Sequence, residues 1–155
     1  MKTISLTRGK VTIVDDCDYG KLAQYKWHTL KVRNLYYAVK SFYKPRIDIL
    51  MHRMILNARK GQQIDHKNGD GLDNQRSNLR YCTNAENHYN QRPRLGGASK
   101  YKGVCWNKQC RKWVAQIQVN GETKFLGYFK DEIEAAKVYD SKAKELFGEF
   151  ARLNF

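Results

Sequence analysis

The stretch DHKNGDGLDNQRSNLR, residues 65 to 80, limits the possible folds of this chain more than any other segment. It is rich in Asp, Asn, Gly and Arg and has only two aliphatic side chains, so most of it is predicted to be a loop. Short runs typical of strands flank it at residues 62 to 66 and 79 to 82. Thr83 and Glu86 then form a capping box, which predicts a helix through about residue 91. The expected order is strand, loop, strand, helix.

Further antiparallel strands are predicted before this segment. Residues 10 to 14 alternate between polar and apolar side chains, and residues 36 to 39 and 47 to 50 are rich in aromatic or β-branched residues. Residues 15 to 20 favour a turn or a helix start. The mixture of aromatic and basic residues here suits either a sheet that presents cations to phosphates or an aromatic core with a solvated basic face.

A second group of strands is predicted near the end of the chain. Residues 102 to 107, 113 to 119 and 123 to 128 are typical of strands, and Asn120-Gly121 is a strong hairpin signal. Asp131 is the expected cap of a following helix. The sequence predicts an antiparallel three-stranded sheet packed on one helix, whose buried stripe is expected to contain Ala136, Tyr139, Ala143, Leu146 and Phe150.

The segment PRLGGAS, residues 93 to 99, is the predicted domain linker because it combines a proline with two adjacent glycines. The expected fold class is α+β. Residues 1 to 92 form an N-terminal β region that leads into the strand-loop-strand-helix core, at about residues 61 to 92. Residues 100 to 155 form the second domain.

The formal net charge of +14, from 29 basic and 15 acidic residues, favours a polyanionic partner. Nucleic acid is favoured over an anionic membrane. The sequence has neither an 18-residue apolar run nor the apolar start of a signal peptide, so we expect a soluble protein of the cytoplasm. The four cysteines never occur as Cys-x-x-Cys and are expected to be free thiols.

The loop segment contains a possible metal-dependent hydrolytic site. Asp65 and His66 are adjacent at a strand end, so their side chains point in different directions. Asp65 and Asn87 offer two hard oxygen ligands, which suit one Mg²⁺ or Mn²⁺ ion. His66 is the candidate general base, because its unperturbed pKa lies near neutrality. Asn78 is expected to hydrogen-bond across the loop and fix the position of His66.

Simpler interpretations of the loop compete with this one. A calcium-binding loop counted from Asp65 requires Asp or Asn, Gly and Glu at its fifth, sixth and twelfth positions. The sequence has Gly69, Asp70 and Arg76 there, so this pattern fails. A phosphate-binding Gly-Lys-Ser/Thr loop also fails, because that motif is not present. A purely structural Asx-rich turn stays open.

Residues 52 to 91, from HRMI through DHKNGDGLDNQRSNLRYCTNAENHYNQ, resemble the HNH endonuclease family and its phage and intron-encoded homing branch. The resemblance implies a ββα-metal fold. It also implies Asp65 and Asn87 as metal ligands, His66 as the general base and Asn78 as the residue that positions it.

The pair His52-Arg53 resembles an upstream His-Arg pair of the same family. Arg53 is therefore a candidate catalytic residue that contacts the scissile phosphate. An ion pair that stabilises the fold is the equally open alternative.

Charge is unevenly distributed within the last domain. Residues 100 to 130 hold seven basic residues and one acid, whereas residues 131 to 149 hold three lysines and six acids. Since the acidic segment is the predicted helix, the uncovered face of the sheet suits DNA. A merely solvated charge run is the alternative.

Residues 101 to 155, including YKGVCWN, KWVAQIQVNG and FLGYFKDEIEAAKVYDSKAKELFGEFARLNF, resemble the DNA-binding domain of plant ethylene-response factors of the Apetala-2 type. The resemblance implies that a sheet reads the major groove of double-stranded DNA. Several arginine positions of that family hold other residues here, so the plant target is not expected. The candidate contacts are Lys102, Cys105, Trp106, Asn107, Arg111, Gln116, Gln118, Thr123, Lys124 and Phe125.

Two functions follow from these patterns. The first is a site-specific homing-type DNA endonuclease, a phosphodiester hydrolase that nicks or cuts both strands as a monomer or homodimer. It would act in the cytoplasm of a bacterium or a phage-infected host. The alternative is a DNA-binding transcriptional regulator with a catalytically inactive HNH fold.

Overall fold

A computed structural model describes residues 1 to 93 and 96 to 155, and within them the chain is α+β with several small antiparallel sheets. It divides into two compact units, Met1–Thr83 and Asn84–Phe155. The expected linker at residues 93 to 99 includes Arg94 and Leu95, which lie outside the described residues. The linker and the domain division based on it stay predictions.

The first unit begins with β1 and β2, which pair antiparallel and are followed by α1. The next three strands form a sheet in the order β3-β4-β5, and α2 leads from it to the β6-β7 hairpin. The strands expected from the sequence before and around the loop are therefore present. The elements are β1 (Lys2–Ser5), β2 (Val11–Val14), α1 (Asp16–Ala23), β3 (His28–Val32), β4 (Leu35–Tyr43), β5 (Arg46–Leu50), α2 (Met51–Ile55), β6 (Gln63–His66) and β7 (Leu79–Cys82).

One hydrophobic core joins the N-terminal strands to the hairpin. Val14 of β2 and Leu22 of α1 are buried in it together with Met51 of α2 and Leu79 of β7. Trp27 closes one side, and its indole Nε1 donates a hydrogen bond to the carbonyl of Leu22 at 2.9 Å. Burying each large side chain stabilises the fold by about 1.5–3 kcal/mol. The β6-β7 hairpin is thus part of the same hydrophobic core as the N-terminal strands.

The loop between β6 and β7 passes close to β4 at Gly71. A Cβ atom at Gly71 would lie 2.5 Å from the carbonyl oxygen of Tyr36 and 2.6 Å from the ring of Tyr37. The nearest atom belongs to the backbone and cannot turn away. Glycine is therefore required for this close approach.

We predict that Gly71→Ala lowers the free energy of unfolding by about 1–3 kcal/mol, because the methyl group overpacks this contact. Urea unfolding of the full chain measures the effect. Gly20→Ala is the matched control, since Gly20 lies in α1 and a methyl group added there would have nothing within 4 Å of it. It should be neutral or stabilising by up to about 1 kcal/mol. Equal unfolding midpoints for the two variants would contradict the close-contact explanation.

The second unit contains an antiparallel sheet in the order β10-β9-β8 with α4 packed against it, as the sequence predicts. Asn120 and Gly121 both have positive φ, as the expected two-residue hairpin requires. Asp131 caps α4, because its carboxylate accepts a hydrogen bond from the amide of Glu134 at 2.8 Å. The elements are α3 (Asn84–Tyr89), β8 (Val104–Asn107), β9 (Lys112–Val119), β10 (Glu122–Phe129) and α4 (Glu132–Phe147).

The buried stripe of α4 differs from the prediction at its end. Ala136, Tyr139 and Ala143 are buried as expected, but Leu146 is 37% exposed and Phe147 is buried instead. Phe147 stacks on Tyr89 of α3 with a ring-centroid distance of 3.7 Å. Steps of three and of four residues from Ala143 are both compatible with the helical period, and the contact with Tyr89 is what buries Phe147 and leaves Leu146 exposed. Phe150 lies beyond the helix in a short 3-10 turn and is half-buried.

None of the helices in residues 1 to 93 and 96 to 155 combines the length and the apolar character that a membrane crossing requires.

Candidate active site

The β6-β7 hairpin presents Asp65 and His66 on opposite faces at the end of one strand. Asp65 lies opposite Arg80 and His66 lies opposite Leu79. The amide of Lys67 donates to the carbonyl of Asn78 at 2.9 Å, which closes the loop just beyond the pair. Asp65 and His66 are each 6% exposed, so the surrounding protein fixes both side chains. The divergent directions expected for adjacent strand residues are therefore present.

Arg80 holds the carboxylate of Asp65. Its Nη2 and Nε atoms lie 2.7 Å and 2.9 Å from Oδ2 of Asp65, and both side chains are almost fully buried. Residues directly opposite each other in antiparallel strands share a face, which explains the pairing. Sequence reasoning missed Arg80. The signal was available only once the hairpin register was known.

Asn74 orients the ring of His66. Oδ1 of Asn74 lies 3.3 Å from Nε2 of His66, while Nδ2 donates to Oγ1 of Thr12 at 2.8 Å. The Thr12 hydroxyl itself donates to the carbonyl of Leu72 at 2.7 Å, so its oxygen must accept from Asn74. Asn74 therefore presents its oxygen to His66, and Nε2 of His66 carries the proton. Nδ1 is left as the basic nitrogen.

Asn78 hydrogen-bonds across the loop, as expected from the sequence. Its Oδ1 accepts from the amide of Asn68 at 3.0 Å, and its Nδ2 donates to Oδ1 of Asn68 and to the carbonyl of Asp73. Asn78 thus braces the loop two residues after His66 and does not bond to the imidazole. The expected hydrogen bond across the loop is therefore present, and the role of Asn78 in fixing the position of His66 stays a prediction.

Residues of β2 and of the start of α1 hold the other side of the loop through hydrogen bonds and an ion pair. The amide of Ile13 in β2 donates to the carbonyl of Leu72, and the amide of Asn74 donates back to Ile13. The Asp15 carboxylate accepts from the amide of Arg76 at 2.7 Å. The Arg76 guanidinium forms two 2.7 Å bonds to the Asp18 carboxylate. The N-terminal β region therefore helps to fix the residues that orient His66.

Three rings pack together beside this pair. His52 meets His66 edge to face with a centroid distance of 4.9 Å, and Tyr37 of β4 lies 6.0 Å from each of them. Burial lowers the pKa of His66 below its ordinary value of 6.5, while the bond to Asn74 and the charge of Asp65 partly offset this. Burial and the charge of Asp65 both raise the pKa of Tyr37. These shifts favour neutral His66 and Tyr37 side chains at neutral pH.

His52 makes folding sensitive to acid. Burial lowers its pKa to about 3 from an ordinary value of 6.5, with smaller contributions from His66 and Arg53. Between these two values the unfolded chain binds a proton that the folded chain does not. The free energy of unfolding therefore falls as the pH decreases from 6.5 towards 3, by up to about 1.4 kcal/mol per pH unit from this residue.

The matched variant is His52→Phe, which keeps a ring but cannot titrate. Its free energy of unfolding should depend less steeply on pH than that of the wild type over this interval. Urea unfolding at several pH values measures both curves. Parallel curves would show that His52 is not the source of the acid sensitivity.

Arg53 of α2 is bound to backbone carbonyls. Its Nη1 donates to Gln62 at 2.6 Å, and its Nη2 donates to Arg59 at 2.8 Å and to Ala58 at 3.5 Å. The guanidinium thus holds the connection from α2 to β6. The ion-pair alternative is wrong, since these partners are carbonyl groups. The contact with a scissile phosphate stays a prediction.

Asn87 lies on α3 in the second unit and is half-buried. Its pairing with Asp65 around a cation stays a prediction. The donor chemistry fits Mg²⁺ or Mn²⁺, because a carboxylate and an amide oxygen are hard ligands. In the described part of the chain, no three His, Cys, Asp or Glu side chains form a group that could hold a metal ion. The predicted site therefore depends on these two oxygen donors.

The candidate DNA contacts of the second unit separate by sheet register. Gln116 pairs with Phe125, Gln118 pairs with Thr123, and Cys105 pairs with the buried Val114, so these residues share one face. Ile117 lies on the other face, which packs on α4. Asn107 and Lys112 pair with each other on the open face. Phe125 is 58% exposed there, so the open face combines neutral polar groups with an aromatic ring.

Other candidates lie away from this face. Lys124 pairs with Ile117, so its side chain leaves the strand on the sheet face that packs on α4. Trp106 pairs with Trp113 on that same face, and the two rings meet edge to face. Nζ of Lys102 donates to the carbonyl of Tyr89, and burial lowers its pKa to about 8. Arg111 lies in the turn between β8 and β9. The open face is less basic than the sequence suggested, because alternation directs Lys124 to the other side.

A protein family and several known proteins are similar to the part of the chain that contains the β6-β7 hairpin. The family model described as HNH endonuclease matches residues 51 to 89, which include the hairpin and α3. A protein named as an uncharacterized HNH endonuclease of Acanthamoeba polyphaga mimivirus is 30% identical over 153 residues. The match covers 96% of this chain and 78% of the viral protein. Protein 3.8 of Escherichia phage T7 is 30% identical over 93 residues, which are 60% of this chain and 76% of the phage protein.

Part of the chain is similar to a plant protein. Dehydration-responsive element-binding protein 2A of Arabidopsis thaliana is 39% identical over 71 residues, which cover 38% of this chain and 21% of the plant protein. That match covers less than half of this chain and less than a quarter of the plant protein. The match to the viral relative covers almost all of this chain and most of the viral protein, at 30% identity. This chain therefore belongs to the HNH endonuclease family.

Proposed function

We propose that the protein is a site-specific, homing-type DNA endonuclease that hydrolyses phosphodiester bonds with His66 as the general base. The observation that carries the proposal is the buried Asp65–His66 pair, held by Arg80 and Asn74, inside the segment matched by the family model. A structural turn does not require two buried titratable side chains with separate orienting partners. Such an arrangement suits a reaction that needs both groups in fixed positions.

Asp65 and Asn87 would hold one divalent cation, Mg²⁺ or Mn²⁺, which would stabilise the negative charge that builds up on the phosphate. His66 accepts a proton on Nδ1 from the attacking water. Its Nε2–H bond to Asn74 keeps the ring in this orientation throughout. The imidazolium that forms is stabilised by the nearby charges of Asp65, Asp70 and Asp73. The water oxygen forms the new bond to phosphorus as the bond to the leaving sugar oxygen breaks. The leaving oxyanion takes a proton from solvent, and the imidazolium of His66 later releases its proton to solvent.

The second unit binds the duplex with the open face of its sheet. The similarity to a plant protein named as an element-binding protein supports this role. Gln116 and Gln118 are the candidates for reading adenine, since a glutamine amide can bond to both N6 and N7 of that base. Arg111 and Lys112 lie at one end of the face and suit phosphate contacts.

Cleavage of a random-sequence duplex library with Mg²⁺, followed by sequencing of the new ends, tests the function. The expected result is a set of ends at a recurrent sequence that does not form in EDTA. The same data report whether one strand or both are cut. Sequence-specific binding without new ends in Mg²⁺ or Mn²⁺ would favour the transcriptional regulator.

A further inference from the structure

The helix that carries Asn87 is too short to be stable through its own hydrogen bonds. α3 (Asn84–Tyr89) has six residues, and none of its side chains is buried. Isolated helices shorter than about 12–15 residues are marginal in water, so tertiary contacts must hold α3 in place. The helix belongs to the compact unit Asn84–Phe155, which also contains the three-stranded sheet and α4. The second unit therefore supplies contacts that fix α3.

Tyr89, the last residue of α3, packs on the end of α4. Its ring is parallel to that of Phe147 within 8°, and the two ring centroids are 3.7 Å apart. Phe147 is 8% exposed and belongs to a hydrophobic cluster with Ile117 of β9 and Tyr139 of α4. The stack therefore ties the end of α3 to the core between the sheet and α4.

The backbone carbonyl of Tyr89 is held as well. It accepts one hydrogen bond from Nζ of Lys102 and a second from the amide of Arg152 at 3.2 Å. The last carbonyl groups of a helix have no partner inside the helix, and a cation placed there also interacts favourably with the helix dipole. Lys102 is a candidate DNA contact from the sequence, yet its ammonium group is bound to α3.

Lys102 is itself fixed to α4 through Asn154. The amide of Lys102 donates to Oδ1 of Asn154 at 2.7 Å, and Nδ2 of Asn154 donates to the carbonyl of Lys102 at 3.2 Å. The Asp140 carboxylate of α4 accepts from the amide of Asn154 at 2.9 Å and from its Nδ2 at 2.8 Å. Hydrogen bonds therefore connect α4 to the C-terminal end of α3 through these residues.

We propose that the second unit holds α3 for catalysis, with Tyr89, Phe147 and Lys102 as positioning residues. Their role is to fix Asn87, and the proposal rests on the proposed function, in which Asn87 is a metal ligand. Two residues separate Asn87 from Tyr89, which is about 3 Å along a helix axis, so an anchor at Tyr89 limits the movement of Asn87. Replacing a residue that orients a metal ligand typically costs about 10- to 100-fold in metal affinity or activity.

The test compares Tyr89→Ala with the conservative Tyr89→Phe in the full-length protein. Tyr89→Ala removes the stack on Phe147, Tyr89→Phe keeps it, and both retain the backbone carbonyl. Cleavage of a labelled duplex over a range of Mg²⁺ concentrations gives the concentration needed for the half-maximal rate. That concentration should rise about 10- to 100-fold for Tyr89→Ala and stay at the wild-type value for Tyr89→Phe. Duplex affinity in EDTA, measured by fluorescence anisotropy, should be the same for all three proteins.

Hydrogen exchange in EDTA measures the anchor without metal or cleavage. The amide of Asn90 donates to the carbonyl of Glu86 at 3.2 Å, so its exchange rate reports how well the end of α3 is held. This amide should exchange about tenfold faster in Tyr89→Ala, as expected for the loss of an aromatic stack. It should exchange at the wild-type rate in Tyr89→Phe.

Lys102→Met is a milder second variant, because it removes only the ammonium group that holds the Tyr89 carbonyl. It should also speed the exchange of the Asn90 amide and raise the Mg²⁺ requirement. A loss of duplex affinity in EDTA with an unchanged Mg²⁺ requirement would make Lys102 a DNA contact and overturn its positioning role.

Wild-type exchange of the Asn90 amide in Tyr89→Ala would overturn the proposal. So would faster exchange with an unchanged Mg²⁺ requirement, because α3 would then be held for folding alone. The two proposals can fail separately. If the wild type never cuts DNA, the endonuclease function is refuted, and the exchange measurement still decides whether the second unit holds α3.

Discussion

His66→Ala should reduce the rate of metal-dependent DNA cleavage by about 10²- to 10⁴-fold, the range for loss of a general base. The reason is that His66 is the imidazole whose tautomer Asn74 sets, so Nδ1 is the nitrogen that takes the proton. DNA affinity in EDTA should stay close to that of the wild type, since the ring is 6% exposed and offers little surface to DNA. Single-turnover cleavage of a labelled duplex measures the rate.

Imidazole added to the His66→Ala reaction provides the control. A small base that enters the cavity should restore part of the rate, and the restoration should rise with the concentration of neutral imidazole. A variant that had merely lost its fold would not respond. Equal cutting by His66→Ala and the wild type would exclude His66 as the general base.

Replacement of Asp65 should have a comparably large effect on cleavage and a second effect on folding. Asp65→Leu removes a proposed metal ligand, which is expected to cost about 100-fold or more in rate. It also leaves the nearly buried Arg80 without its carboxylate, which destabilises the fold by about 3–5 kcal/mol. Urea unfolding and cleavage at several Mg²⁺ concentrations measure the two effects.

The double variant Asp65→Leu/Arg80→Leu distinguishes a ligand from a structural residue. Two apolar side chains can replace a buried ion pair at little cost, so the double variant should regain most of the lost stability. It should still fail to cut DNA, because no oxygen ligand returns. Cleavage near the wild-type rate in the double variant would mean that Asp65 serves only the fold.

Much of the fold follows from local sequence signals. The bounds of β6 and β7 lie within one residue of those expected, because the Asn- and Gly-rich loop can be neither strand nor helix. The Asn120-Gly121 hairpin and the Asp131 cap also follow from the chemistry of those residues. The end of α4 was harder to predict. A period of 3.6 residues allows either Leu146 or Phe147 to continue the stripe, and contact with Tyr89 is not a local property.

The residues that orient the candidate site were the part that sequence reasoning missed. Arg80 depends on hairpin register, and the bonds of Asn74 depend on Thr12, which lies 62 residues away. Tyr37 reaches His66 from a separate sheet. Asp65 and His66 were candidates from their residue types and from the resemblance of their segment to the HNH pattern, and their catalytic roles stay predictions. Their supporting partners are ordinary polar residues whose roles arise only from tertiary contacts.

The most direct measurement of the central claim is the conversion of supercoiled plasmid by the wild-type protein. A plasmid containing the mapped site is incubated with Mg²⁺, with Mn²⁺ or with EDTA, and the products are separated on a gel. We predict nicked or linear plasmid with either metal ion, intact plasmid in EDTA, and conversion that is at least about 100-fold slower with His66→Ala. Supercoiled plasmid that persists with both metals, at protein concentrations that saturate DNA binding, would contradict the assignment as an active endonuclease.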